Sequence, residues 1–506
     1  MKKYGLLKMI GIAFLVLVVL TWIIPAGSYA SGEYAKVGAS PYGIFDLTRI
    51  PLIAITNLVQ FSVVLLVIGG FYGVISKTGV YTPLVDSIVK KFKGKEKRVL
   101  LISTLVFGIL SSVVGANFVV FMLVPFAVAI IMLVGYNKIS AMLATVGAMM
   151  VGNLASITNS DITASLIQYF SIDMKGEILA KIVLFVMLMV LYILFVKKIS
   201  IIEKPKKAKA KKEIKTDSKA KKTTKTTKTT KAEAKKEEVL EVKENKDIVL
   251  YDPKAINKKK SFIPLIVITS IILLISLVAM FNWSAILEVN FFDEVYEKIM
   301  DIKIGDYTIV KNIFGTLAPF GHWTNYEFIM FILLCIPFIA WLYNIKFDDL
   351  VDGFVDGAKK MAKPAFYVLI ANVLYAAMFN LQTGDNIFYT ITNFFMKMST
   401  EFNALVVGAI TFIGGIIYSD FGSFAGTIAS PITMQYTKAE MLPLISFIVQ
   451  TVYGLVAFIT PTSIMLVLGL SYFDISYKEW FKTMWKYLLK TLLILIVVII
   501  IIAMFI

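Results

Sequence analysis

Gly152-Asn-Leu-Ala-Ser-Ile-Thr-Asn-Ser-Asp-Ile162 and Gly454-Leu-Val-Ala-Phe-Ile-Thr-Pro-Thr-Ser-Ile464 decide the fold of this 506-residue chain, because they are one motif written twice. Gly152 pairs with Gly454, Ala155 with Ala457, Ile157 with Ile459, Thr158 with Thr460 and Ile162 with Ile464; Leu166 and Leu468 continue the match. Upstream, at a slightly different offset, Gly108/Gly414, Phe118/Phe424 and Pro125/Pro431 pair, and Thr78-Gly79 matches Thr383-Gly384, all in the same order. Each copy of the motif is a polar interruption of an otherwise apolar helix.

The surroundings of the motif are lipid-soluble. Hydrophobic residues make up 58% of the chain against 17% charged, and the mean hydropathy is +0.79, more apolar surface than a soluble core can hide. Ile50 to Ile75 has no charge and Leu488 to Ile506 has only Lys490, so both read as membrane helices, which need about 20 apolar residues. These runs are solidly apolar rather than alternating, which excludes an outer-membrane barrel and predicts an all-α polytopic membrane protein. Met1-Lys-Lys before an apolar stretch ending in Ser28-Tyr29-Ala30 also fits a cleaved signal peptide, but the long run from Met9 to Ile24 and Trp22 favour a retained first helix.

Of the net charge of +17, +13 sits in one place. Residues 197 to 260 hold 23 Lys against 10 acidic residues, centred on the low-complexity tract Lys221 to Lys231. A segment with so little to bury reads as a disordered linker, residues 201–260, beside an anionic inner leaflet rather than as a nucleic-acid site. It divides the chain into membrane halves 1–200 and 261–506. One Cys and one His exclude a disulfide framework and zinc chemistry; no metal site or cofactor is expected beyond a coupling Na+ or H+.

Charge also orients the two copies. Residues 77 to 98 carry seven Lys/Arg and the equivalent 382 to 403 only Lys397, so the positive-inside bias puts the first loop in the cytoplasm and the second outside. The halves are therefore two inverted repeats, about 50–200 and 364–506, each with a re-entrant hairpin (99–135 and 404–437) and a broken transmembrane helix (139–170 and 441–470). Helices 178–197 and 488–506 close the units, and spans near 262–281 and 328–345 link them. This predicts a cytoplasmic N-terminus and linker and an external C-terminus in the cell membrane.

Polar, helix-breaking residues survive in hydrocarbon where they line a cavity, and a broken helix offers carbonyls to a cation, Na+ for instance, and amides to a carboxylate. The candidates are Thr158, Asn159, Ser160 and Asp161 in one break, Thr460, Thr462 and Ser463 in the other, and Asn117 and Ser423 at the aligned hairpin tips. The competing reading is a kink satisfied by neighbouring helices and a turn that merely closes the hairpin. Asp161 and Asp420, one per half, stand out because a carboxylate at membrane depth marks an ion, proton or substrate path. Asp385, His322 and Trp323 read as interfacial. Lacking an acid/base or metal constellation and a nucleotide-binding loop, the chain does not read as an enzyme or an ATP-driven permease subunit.

Thr21-Trp-Ile-Ile-Pro-Ala-Gly-Ser28, Gly69-Gly-Phe-Tyr-Gly-Val-Ile-Ser-Lys-Thr-Gly79, Thr158-Asn159 and Pro461-Thr-Ser463 followed by Leu468-Gly-Leu470 resemble the YfcC family, which is related to the DcuC C4-dicarboxylate carriers and to arginine/ornithine antiporter-like proteins of the ion-transporter superfamily. The resemblance covers both halves but not the linker. It implies a scaffold and a transport domain, a homodimer, an elevator-like motion, and a small-molecule substrate and coupling ion at Asn117, Thr158, Asn159, Ser423, Thr462 and Ser463. Where the family leads one to expect Pro after Thr158-Asn159, this chain has Ser160-Asp161. The added negative charge disfavours a dianion, so the expected function is secondary transport of amino acids, basic ones such as arginine or ornithine, with C4-dicarboxylates as the alternative.

Overall fold

The computed structural model describes residues 5–29, 33–200, 260–315, 317–377 and 385–504. Most of the expected linker, and the matched Thr383-Gly384, lie outside them. The described chain is helical apart from two short antiparallel pairs, Ala26–Ser28 with Ala35–Gly38 and Lys303–Ile304 with Tyr307–Thr308. Seven helices among the described residues are long and apolar enough to cross a bilayer, as expected of a multi-pass membrane protein.

The first half contains α1 (Gly5–Ile23), α2 (Asp46–Leu58), α3 (Gln60–Lys77), α4 (Tyr81–Phe92), α5 (Glu96–Val113), α6 (Asn117–Met122), α7 (Val124–Leu133), α8 (Lys138–Met142), α9 (Ala148–Leu154), α10 (Ser160–Phe170) and α11 (Met174–Ile199). A π-helical turn, Leu143–Gly147, joins α8 to α9; the Tyr192 hydroxyl donates to the carbonyl of Leu143 within it at 2.6 Å. After the linker come α12 (Ile263–Met280), α13 (Trp283–Leu287), α14 (Phe291–Met300), α15 (Ile309–Phe314), α16 (Asn325–Leu342), α17 (Phe347–Ala376), α18 (Ile387–Met396), α19 (Ala404–Ile417), α20 (Phe421–Gln435), α21 (Leu442–Ala457), α22 (Ile464–Phe473) and α23 (Tyr477–Ala503).

The repeat is visible in element order: α5, the α6–α7 arm, α8–α9, a break, α10 and α11 are matched by α19, α20, α21, a break, α22 and α23. Its inversion follows from packing between the copies. Leu154 lies against Gly454, and Met142 and Val146 against Gly469, so the first broken helix, α8–α10, runs antiparallel along its α8–α9 part to its mate, the broken helix α21–α22. Equivalent helices that meet antiparallel are related by a two-fold axis across the helix direction, the geometry of an inverted repeat.

Three boundaries differ from the sequence expectation. The uncharged run Ile50 to Ile75 is two helices, α2 and α3, with a turn at Val59. Helix α17 continues through Pro364, the expected start of the second repeat, and α23 begins at Tyr477 rather than 488, taking the basic stretch from Lys478 into its first turns. Length and charge set the expected limits, whereas local capping sets the start of α23, where Ser476 accepts from the Glu479 amide.

Helix α3 packs antiparallel on α17 with the two backbones in contact. A Cβ on Gly73 would sit 1.9 Å from the Gly353 carbonyl oxygen, and the Ser62 hydroxyl donates to the Ala365 carbonyl at 2.8 Å. Without a hydrophobic force between helices in lipid, such close approach and interhelical hydrogen bonding hold the pair together. Helix α1 rests on α17 through Ile10, Tyr367, Ala371 and Leu374. The large core cluster joins α3, α5–α9 and α11 to α16, α22 and α23, and a second one joins α10 to α18–α21.

Candidate functional site

Each hairpin turns at its tip and is stitched there to the break of its own repeat. In the first, Gly115 (φ +77°) and Ala116 (φ +42°) reverse the chain between α5 and α6. A Cβ on Gly115 would lie 2.5 Å from Asn159 Oδ1, so both backbone angle and space require glycine. The amides of Ile157 and Thr158 donate to the Ser112 carbonyl at 2.9 and 3.1 Å, and Ser160 N donates to the Val114 carbonyl at 3.1 Å. The Thr158 hydroxyl donates to the Val113 carbonyl at 2.8 Å. In the second repeat the Thr460 and Thr462 hydroxyls donate to the Ile416 carbonyl at 3.0 and 2.9 Å. The matched threonines thus do one job twice: they satisfy carbonyls left open where the first hairpin arm ends.

The second half of each broken helix is capped, but not at the same place. Ser463 caps α22 by accepting from Leu466 N at 3.4 Å, whereas Asn159 caps α10 by accepting from Ile162 N at 3.2 Å. Because Ile162 is the counterpart of Ile464, Ser463 is the counterpart of Asp161. Moving the first cap back to Asn159 releases Asp161 from capping. It sits in the first turn of α10, where the helix dipole favours a carboxylate by roughly 0.3–1 kcal/mol, and it is exposed. Asp420 is itself a cap: its Oδ1 accepts from Ser423 N, the first hydrogen bond of α20, at 2.8 Å.

A cavity of about 540 Å³ lies where the two breaks and the two tips meet. Asn117, Asp161, Asp420 and Ser463 line it, so the structure brings four of the ten candidates to one space. Thr158, Asn159, Ser160, Ser423, Thr460 and Thr462 do not line it. The first two and the last two tie tip to break, Ser423 closes the first turn of α20, and the Ser160 hydroxyl accepts from Asn282 N at 2.9 Å, docking the α12–α13 connection on the break.

Sequence reading missed Asn153, Ser419, Gln450, Tyr453 and Trp323, which also line the cavity. Asn153 donates to Asn117 Oδ1 at 3.0 Å, and Gln450 Nε2 donates across the repeats to the Leu154 and Ser156 carbonyls at 3.4 and 3.0 Å. Gln450 is buried and its side-chain oxygen has no hydrogen-bond partner among the described residues. A polar side chain mid-way along apolar α21 was a usable signal. Asn153 was hidden because its aligned counterpart is Leu455. Trp323 is not an interfacial anchor: it is buried, its indole N–H donates to the Ala318 carbonyl, and its ring packs edge-on between Phe320 and Phe331. Asp385, also expected at an interface, is buried, while His322 meets Asp293 at 3.1 Å on the surface.

No basic side chain is among the residues lining the cavity. Asp161 and Asp420, one from each repeat, both line it. Asn117 Nδ2 donates to Asp161 Oδ2 at 3.5 Å, the outer limit of a hydrogen bond. Among the described residues no group of three or more His, Cys, Asp or Glu is placed to hold a metal ion.

Three comparisons bear on identity. No curated protein matches the chain significantly. The crystal structure of the YdaH transporter of Alcanivorax borkumensis, described as having an unusual topology, aligns over 98% of this chain and 98% of that one, at 13% identity and a TM-score of 0.34, a likeness too loose to bear on the fold. Residues 5–504 match the family described as the C4-dicarboxylate anaerobic carrier, DcuC, across both membrane halves. The chain belongs to the DcuC family of carriers.

Proposed function

We propose that this carrier moves a substrate bearing a cationic group, an amino acid and in particular a basic one such as arginine or ornithine, by exchange or with ion coupling. The supporting observation is the cavity wall: Asp161 and Asp420 both accept, and no Lys, Arg or His stands among the described lining residues. Two unit charges 4 Å apart interact by about 4 kcal/mol at an effective dielectric of 20, so an ammonium or guanidinium gains there what a dianion loses. The substrate's carboxylate has the first turn of α22 at Ile464 and Met465, which line the cavity, to receive it.

The family description favours a second reading, a C4-dicarboxylate, in which Asp161 and Asp420 carry the coupling Na+ or H+ that neutralises the site. On either reading the hairpins are re-entrant and Asp161 and Asp420 work at membrane depth. The Lys-rich turn from Lys90 to Arg98 and the linker then face the cytoplasm, and the protein works as a homodimer in the cell membrane. Exchange in proteoliposomes tests the proposal. Asp161→Asn and Asp420→Asn should each lower arginine exchange at least about tenfold, the worth of one hydrogen bond to a charged group. Wild-type rates in both variants would remove the two carboxylates from the site.

A further inference from the structure

We propose that Asn153, which no motif singles out, is a positioning residue: it relays the fixed orientation of a main-chain-anchored amide to Asp161, so that an N–H always faces that carboxylate. The inference rests on reading Asp161 as a ligand-binding carboxylate.

The argument is one of hydrogen-bond polarity. A carbonyl only accepts and a main-chain N–H only donates, so an amide held between one of each cannot flip. Asn159 is held in this way: its Oδ1 accepts from Ile162 N at 3.2 Å and its Nδ2 donates to the Ser111 carbonyl at 2.7 Å. Its second N–H donates to Asn153 Oδ1 at 3.0 Å. That assigns Asn153 its oxygen on the Asn159 side and its NH2 on the other, where it donates to Asn117 Oδ1 at 3.0 Å. Asn117 is thereby turned with Nδ2 toward Asp161 Oδ2, at 3.5 Å. Three amides in series, each donating to the next, run from the backbone of the break to the carboxylate. An ionised carboxylate only accepts, so the polarity matches at the last link and leaves its other oxygen to the cavity.

Asn159 is fully buried and Asn117 stands at the hairpin tip, so Asn153 on α9 is the link joining break to tip on the cavity side. Two alternatives make different predictions. If Asn153 merely filled space, the isosteric Asn153→Asp would be tolerated. If it bound the cationic group directly, Asn153→Asp would strengthen binding. As a relay, Asn153→Asp fails, because a carboxylate cannot donate: Asn117 must turn its NH2 toward position 153 and present its oxygen to Asp161, acceptor against acceptor.

The test is a double-mutant cycle on the full-length protein in proteoliposomes, reading the half-saturating concentration for counterflow of arginine and, in parallel, of succinate. Asn153→Asp should raise it about tenfold, with the melting temperature close to wild type, and Asn117→Ala should raise it similarly. The double variant should be no worse than Asn117→Ala alone. Unchanged or tighter half-saturation in Asn153→Asp, or an undiminished effect in the Asn117→Ala background, overturns the relay. If the wild type carries succinate and not arginine, the substrate proposal fails while the same cycle on succinate still judges the relay. A ligand-free cryo-EM structure of Asn153→Asp decides independently of any substrate: the relay requires Asn117, its oxygen now turned on Asp161, to move away from that carboxylate, and an Asn117 amide still in place contradicts it.

Discussion

Gly94 and Gly115 share nearly the same left-handed backbone, φ +80° and +77°, yet their surroundings differ completely, which allows two costs to be separated. A Cβ on Gly94 meets nothing within 4 Å; one on Gly115 lies 2.5 Å from Asn159 Oδ1 and 2.7 Å from its Cγ. Alanine at either position carries the strain of a left-handed L-residue, about 1–2 kcal/mol. At Gly115 it also drives Asn159 off its place, and losing that helix cap costs about 1 kcal/mol more. Gly115→Ala should therefore be less stable than Gly94→Ala by about 1 kcal/mol or more, read as a lower melting temperature of the detergent-solubilised protein. Counterflow separates the two further, because displacing Asn159 disturbs the tip and the break that wall the cavity: Gly94→Ala should transport normally and Gly115→Ala poorly. Equal melting temperatures and equal transport in the two variants would refute the contact between tip and break on which the site depends.

Thr158→Val strips the Val113 carbonyl of a donor and should cost about 1–3 kcal/mol, whereas Thr460→Val should cost less because Thr462 still donates to the same Ile416 carbonyl; thermal melts of the two variants check the order. Gly73→Leu places its Cβ against the Gly353 carbonyl and should abolish folded, monodisperse protein in size-exclusion chromatography, because backbone in contact with backbone cannot yield. Deletion of residues 205–250 should leave counterflow intact, since the sequence there offers nothing for a membrane core to bury; a folded but inactive deletion would assign the tract a role in transport.

What the sequence disclosed follows from how strongly each feature is written in it. The inverted repeat was legible because its signals are independent: matched Gly, Ile and Thr around the breaks, and unequal lysine counts in equivalent loops. Hairpin limits agreed closely, α5 ending at Val113 and α19 at Ile417 near the expected tips, because small residues and turn formers concentrate there. The division at Val59 inside Ile50–Ile75 was not legible, since α2 and α3 both pack on α17 and an unbroken apolar run carries no mark of where one ends and the other starts.

The site was half legible for a related reason. Polar residues inside apolar runs identified the breaks but could not distinguish hydroxyls that satisfy the local backbone, such as Thr158 and Thr460, from groups that face open space, such as Asp161. That distinction comes from the two-residue shift in capping between Asn159 and Ser463, which only the geometry reveals. Gln450 belongs to the site through a contact between repeats nearly three hundred positions apart, beyond the reach of any local motif.

The most direct test of the central claim is counterflow into proteoliposomes preloaded in turn with arginine, ornithine, a neutral amino acid, succinate or nothing, each followed with its matching labelled compound, with and without a sodium or proton gradient. Accumulation of a basic amino acid and none of succinate is the result that a cavity walled by Asp161, Asp420 and Gln450 predicts. Accumulation of succinate alone would contradict it and make both aspartates carriers of the coupling cation.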